Sequence, residues 1–298
     1  MFRITSGRRA ILGLAVAAAM TTSMAACGSE SDTSGAGTPV ASASADDSLS
    51  AKVPADIKAA GKLIIGTDSS YAPSEFLDAD GKTVIGFDVD LFNAVAQKLG
   101  LTTEWQSATF DSIIPGVSSA KYNVGVSSFT VTAEREKEAT MVSYFSAGTQ
   151  WAGKTGSTIT PDTACGKKIA VQTGTVQVDD ITARNKKCGS NKITVDQYQK
   201  QSDATNAVVT GKDDAMLADS PVSAYAVKQT NGQLALIGDI YDSAPYGYVV
   251  AKDKTDLAEA LNSALQALIA DGTYKSVLDK WGVSAGAITA PAVNPSVS

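Results

Sequence analysis

Between residues 55 and 282, short apolar runs of strand character alternate with stretches of helical periodicity, and this alternation constrains the fold more than any other feature. "KLIIGTD" (62–68) is an apolar run ending in turn residues, the pattern of a buried parallel strand. Asp88 then stands where a helix cap is wanted. Leu91, Val95 and Leu99 follow on one face, and Gly100 supplies a stop. "LTTEWQSA", a helical piece around 113–117 and a β-type run before Ser127 continue the series. A second series opens at "GKKIAVQTGT" (166–175) and passes through "ITVDQY", a helical 201–210, "DAMLADS" and "LALIGDI". It closes with "YGYVVAKD" and two helices whose Leu257, Leu261, Leu265 and Leu268, then Tyr274, Val277, Leu278 and Trp281, each form one stripe. The expected class is α/β, with open parallel-type sheets covered by helices. In such sheets ligands sit at the carboxyl ends of strands, where loops lead into helix N-termini.

The 298 residues suffice for two domains, and the 44% hydrophobic content provides a core. No stretch beyond the N-terminus reaches the ~20 apolar residues of a membrane helix. The chain contains no histidine. That excludes Ser-His-Asp and Cys-His catalysis and the usual histidine-containing zinc sites; no metal and no cofactor are expected.

Residues 1–26 read as an export signal: Arg3, Arg8 and Arg9, an apolar run over 10–20, then small residues. Either Sec or twin-arginine export fits. Met24-Ala25-Ala26-Cys27 resembles a bacterial lipobox, which would make Cys27 the lipidated mature N-terminus on the outer face of the cell membrane. Loss of 1–26 removes three arginines and no acid, leaving 22 basic against 31 acidic residues, a charge of −9. Such a chain is not expected to bind nucleic acid. With Cys27 accounted for, Cys165 and Cys188 remain in an oxidising setting, where a disulfide between them is expected. Residues 27–56, with one leucine and no aromatic residue, read as a flexible tether, and 283–298 as a fraying tail.

"VSSFTVTAERE" (126–136) places hydroxyls and one arginine where a strand gives way to a helix. Two readings stand. Thr132 can cap a surface helix in which Arg135 pairs with Glu134 and Glu136. Alternatively Arg135 clamps a carboxylate, with Ser128 and Thr130 supplying hydroxyl and N–H groups.

"GTDSSYAPSEFLDADGKTVIGFDVDLFNAVAQKLG", "ATFDSIIPGV", "VSSFTVTAEREKEATMVSYF", "KKIAVQTGTVQV" and "DDAMLADSPV" occur in this order. Together they resemble the solute-binding proteins of polar amino-acid ABC importers, such as the lysine/arginine/ornithine-, histidine- and glutamine-binding proteins. The resemblance implies the two-lobe, type II periplasmic-binding-protein fold with two hinge crossovers: residues 57–150 and 247–282 in one lobe, 151–246 in the other. It further implies that Arg135 holds the α-carboxylate with Thr130 and the Val176 N–H. Asp219 and Ser128 would take the α-ammonium, and Tyr71 and Phe110 would wall the side chain. Asp68 and Gln172 would stand at its far end. One spare acid, Asp68, and no spare base favour a basic or amide amino acid. The expected partners are a free amino acid, the permease subunits and, through the lipid, the membrane. The protein is read as a monomer and not an enzyme. The alternatives are a sensor that presents its closed form to a membrane receptor, and a dehydratase on the same fold.

Overall fold

A computed structural model of the protein describes residues 43–297. Two short helices lead in, α1 (Asp47–Ser50) and α2 (Ala55–Ala60). The first half runs β1 (Lys62–Thr67), a small sheet of β2 (Ser70–Tyr71), β3 (Glu75–Leu77) and β4 (Val84–Ile85), then α3 (Phe87–Lys98) and β5 (Thr102–Ser107). It continues with α4 (Phe110–Ser118), β6 (Val124–Gly125) and α5 (Ala133–Glu138). Strand β7 (Ala139–Lys154) crosses to the second half, made of β8 (Lys168–Gln172), α6 (Val176–Lys186), β9 (Thr194–Tyr198), α7 (Gln201–Thr210), β10 (Ala215–Asp219) and α8 (Ser220–Gln229). Strand β11 (Leu234–Ala251) returns, and α9 (Thr255–Ala270) and α10 (Thr273–Trp281) pack on the first half.

Eight strands form one ladder in the order β5-β1-β6-β11-β7-β10-β8-β9. The outer three on each side are mutually parallel, whereas β7 and β11 run antiparallel to each other and to their neighbours. Both crossovers are thus long paired strands. The α/β class with helix-covered sheets is the one read from the alternating pattern. Register shifts interrupt β11 between Ile237 and Tyr241, Tyr241 and Ala244, and Tyr246 and Gly247, giving the crossover local irregularity where the halves meet.

Spacing explains the packing. Leu257, Leu261, Ala264, Leu265 and Leu268 recur every three or four residues, so one face of α9 is wholly buried against a core that includes Leu91, Val95 and Leu99 of the α3 segment. Each buried leucine contributes about 1.5–3 kcal/mol. In β8 the period is two: Ile169 and Val171 enter one core with Trp151 and Leu217, while Ala170 enters another with Met216 and Val208. Cys165 and Cys188 are disulfide-bonded, tying the loop before β8 to the end of α6.

Three expectations need correction. Asp88 does not cap α3: the cap position is Gly86, and Asp88 lies inside the first turn with its carboxyl buried. The described part of the tether, 43–56, is docked. Asp46 caps α1 by accepting from the Ser48 and Leu49 N–H groups, Val53 is buried, and Leu49 packs on the core. The tail is also held. The Ser143 N–H donates to Ala292 O at 2.9 Å and the Asn294 N–H to Met141 O at 2.7 Å, and Val283, Ile288 and Val293 pack on the core, so backbone pairing and apolar contact together hold the tail. Ser296 and Val297 reach a groove of about 560 Å³ whose walls include Thr130, Val176 and Asp180. Cys27 and the signal segment 1–26 lie outside the described residues.

Candidate functional site

The carboxyl ends of β1, β6, β8 and β10 converge between the two halves. Seven of the nine residues singled out from the sequence line one cavity there: Tyr71, Phe110, Ser128, Thr130, Arg135, Val176 and Asp219. The remaining two, Asp68 and Gln172, meet beside it, the Gln172 Nε2 donating to Asp68 Oδ2 at 3.0 Å across the halves. The Phe110 N–H donates to the same oxygen at 3.2 Å, and the Ser70 N–H and hydroxyl donate to Asp68 Oδ1. The cavity holds about 10 Å³, the room of a single water. A larger groove of about 600 Å³, lined by Tyr225, Lys228, Ile240 and Trp281 among others, contains none of these residues. Opposite charges converge only on the smaller one.

Arg135 distinguishes the two readings made of it. Thr132 does cap α5, its hydroxyl accepting from the Arg135 N–H at 3.2 Å. The guanidinium, however, makes no ion pair among the described residues. It donates to Thr130 O at 2.7 Å and to Gly174 O at 3.1 Å, and lies 5.4 Å from the ring centres of both Phe110 and Phe129. These rings stack on each other, so the cation rests on an aromatic platform. Burial draws the guanidinium down to about 10, opposed by the Asp219 charge, so it stays charged at neutral pH. Gly174 has φ +80° and a side chain there would meet Asp111 at 3.0 Å, so glycine permits this close approach.

Asp219 ends β10 and precedes Pro221, yet its side chain makes no capping hydrogen bond. It accepts instead from the Tyr71 hydroxyl at 2.9 Å and from Gln177 Nε2 at 2.8 Å. Burial raises its carboxyl above the ordinary value, while these donors and Arg135 favour the charged form. Asp68 is likewise raised by burial and opposed by its hydrogen bonds. The cavity thus holds one cation and one anion, each provided with polar neighbours, in a wall shared by both halves.

Sequence reading missed Gln177, Thr175, Glu75 and Asp88. Gln177 is 2% exposed and also donates to Thr149 Oγ1 at 3.0 Å; a glutamine in the first turn after "QTGT" was its only signal. Thr175 lines the cavity and donates its hydroxyl to Gln172 O.

A cleft between two α/β halves, crossed twice by the chain and lined by one cation and one anion, is the architecture of a small-molecule binding protein. Residues 63–284 match the bacterial extracellular solute-binding proteins, family 3, and the chain belongs to that family. The arginine-binding protein ArgT of Corynebacterium glutamicum is 35% identical over 252 residues, 83% of this chain and 82% of the relative. The putative ABC transporter arginine-binding protein 2 of Escherichia coli K12 is 30% identical over 229 residues, covering 75% and 91%. Among solved structures, an ancestral arginine-binding protein bound to arginine superposes with a TM-score of 0.70 at 34% identity, covering 74% of this chain and 98% of that one. The protein is an amino-acid solute-binding protein with the type II periplasmic-binding fold.

Proposed function

We propose that the protein captures a basic L-amino acid, L-arginine first among them, outside the cytoplasm and delivers it to the permease of an ABC importer. It does so as a monomer tethered by a lipid on Cys27. The observation that carries this reading is that Arg135 and Asp219, one cation and one anion, line the same cavity. A zwitterion desolvated on binding needs one fixed cation and one fixed anion. Arg135 faces the α-carboxylate with Thr130 and the Val176 N–H, and Asp219 and Ser128 face the α-ammonium. Tyr71 and Phe110 wall the side chain, and Asp68 with Gln172 meets its distal group.

A space of about 10 Å³ is far smaller than any amino acid, so uptake requires the halves to part. Lobe 1 (57–150 and 247–282) and lobe 2 (151–246) hinge about β7 and β11, whose irregular pairing accommodates the rotation. No step of the cycle alters the ligand chemically.

A thermal-shift screen of residues 43–298 against the twenty amino acids plus ornithine and cystine tests the reading. A ligand at 100-fold its Kd adds about 2.7 kcal/mol of stability. Arginine is expected to give the largest rise in midpoint. A largest rise with glutamate, or none with any amino acid, would overturn it.

A further inference from the structure

Glu75 and Asp88 are both 0% exposed. Gly86, at φ +143°, brings the start of α3 against the segment before β3: a side chain there would meet Ser74 O at 2.0 Å. The Asp88 N–H donates to Ser74 O and the Phe87 N–H to Pro73 O, fixing the two acids side by side within hydrogen-bonding reach. Asp88 Oδ2 accepts three hydrogen bonds, from the Ser128 N–H at 3.1 Å, the Ser128 hydroxyl at 3.2 Å and the Tyr144 hydroxyl at 2.6 Å. Glu75 Oε1 accepts from the Ser127 hydroxyl at 3.1 Å, and Ser127 Oγ accepts from the Asp68 N–H at 3.0 Å.

One oxygen of each acid, Glu75 Oε2 and Asp88 Oδ1, is buried with no donor. The titratable groups facing the pair are Asp68, Tyr71 of β2, Tyr144 of β7 and Tyr248 of β11. None is a cation. Two adjacent carboxylates without a counter-charge are prohibitively costly, whereas a single proton between the orphaned oxygens satisfies both and removes one charge. Burial and the neighbouring Asp88 hold Glu75 well above the carboxylate range, whereas burial raises Asp88 against the pull of Tyr144 and Ser128 on its charged form. Asp88 Oδ2 accepts three hydrogen bonds, which favour its charged form, whereas Glu75 accepts one, so Glu75 is the donor.

We propose that Glu75 and Asp88 share one proton, Glu75 donating to Asp88, and that this pair is a positioning device for the ligand site. Asp88 holds Ser128 at φ +50°, a conformation rare for residues other than glycine. Glu75 acts through Ser127 on the backbone that carries Asp68. The effect on ammonium binding rests on the function proposed above; the shared proton does not.

The test has two parts. Infrared spectra of the ligand-free protein should contain a protonated-carboxyl band at neutral pH that is lost in Glu75→Gln. Calorimetry with arginine should find Glu75→Ala weakened by about tenfold or more, the result of leaving a buried acceptor unpaired. Glu75→Gln, whose amide donates from the same place, should recover most of that loss. Wild-type affinity should show a fall with rising pH, as the pair loses its proton, in addition to the alkaline fall that loss of the ligand's ammonium and the Arg135 charge causes in both proteins. Only the additional fall should be absent in Glu75→Gln. A missing band, or equal affinities for the two variants, would overturn the proposal. Should Glu75→Ala fail to fold, the band and the Glu75→Gln pH profile decide. Failure of every amino acid to bind would sink the transport reading and leave the band to judge the proton.

Discussion

Tyr71 and Asp219 exchange two hydrogen bonds across the cleft: the phenol donates to Asp219 Oδ2 at 2.9 Å, and the Asp219 N–H donates back to the phenol oxygen at 3.1 Å. Tyr71 belongs to the first half and Asp219 to the second, so the pair is a direct bridge between them. Burial and the adjacent Asp219 charge raise the Tyr71 phenol well above its ordinary value, so it remains a donor throughout the physiological range. Tyr71→Phe removes both bonds while keeping the ring. The expected result is a larger radius of gyration by small-angle scattering in the absence of ligand, and a ligand-bound radius equal to that of the wild type.

Arg135 should be the most sensitive side chain. Removing one partner of a desolvated charge pair costs about 2–5 kcal/mol. Arg135→Ala should therefore lower arginine affinity by at least about thirtyfold in calorimetry. Arg135→Lys should rescue little of it, because an ammonium cannot span Thr130 O, Gly174 O and a carboxylate at once.

Asp68 should set the preference among side chains. A charged hydrogen bond contributes about 1.5–3 kcal/mol. Asp68→Asn should therefore weaken arginine and ornithine by about tenfold or more and glutamine much less. Equal losses for all three, measured by competition, would remove Asp68 from the specificity pocket.

The disulfide should matter for stability and not for binding. Cys165 and Cys188 are 23 residues apart, and closing a loop of that size contributes about 3 kcal/mol. Cys165→Ser/Cys188→Ser should lower the melting midpoint by several degrees and leave the arginine Kd unchanged, since neither cysteine borders the cavity.

Stability should decline with rising pH. Glu75, Asp88, Asp68 and Asp219 are all raised, so between their ordinary and native values the folded state holds more protons than the unfolded one. The stability they supply is complete below the ordinary carboxylate range and is lost as pH rises through the raised values. Asp46, Asp80 and Glu104 are shifted the other way, but their effect ends at lower pH. Midpoints should thus be higher at about pH 5 than at about pH 8. A flat or rising profile would mean that the buried acids are ionised in the native state.

The fold was legible because its periodicities are strong: α9 announces itself by leucines three and four apart, and β8 by an apolar run between turn residues. Arg135 and Asp219 stood out because each follows a strand-like run where the chain turns into a helix, Asp219 just before α8 and Arg135 in the first turn of α5. Glu75 and Asp88 did not. An acid at a helix start reads as a cap, and only the turn at Gly86, which points Asp88 inward, distinguishes the two roles. The tail escaped notice for a different reason. Its attachment to Met141 and Ser143 uses backbone groups, the Ser143 hydroxyl and one asparagine, Asn294, and such pairing leaves little mark on composition.

The same tail ends beside the junction of the two halves. Ser296 borders the groove that also contains Val176 and Asp180 of the opposite half, although it lies outside the candidate binding set. A dye attached through Ser296→Cys would change its surroundings each time the halves part or meet. Cys165 and Cys188, tied to each other, would not compete for the label. The tail thus offers a mounting point from which this protein could be made into an optical gauge of its own ligand.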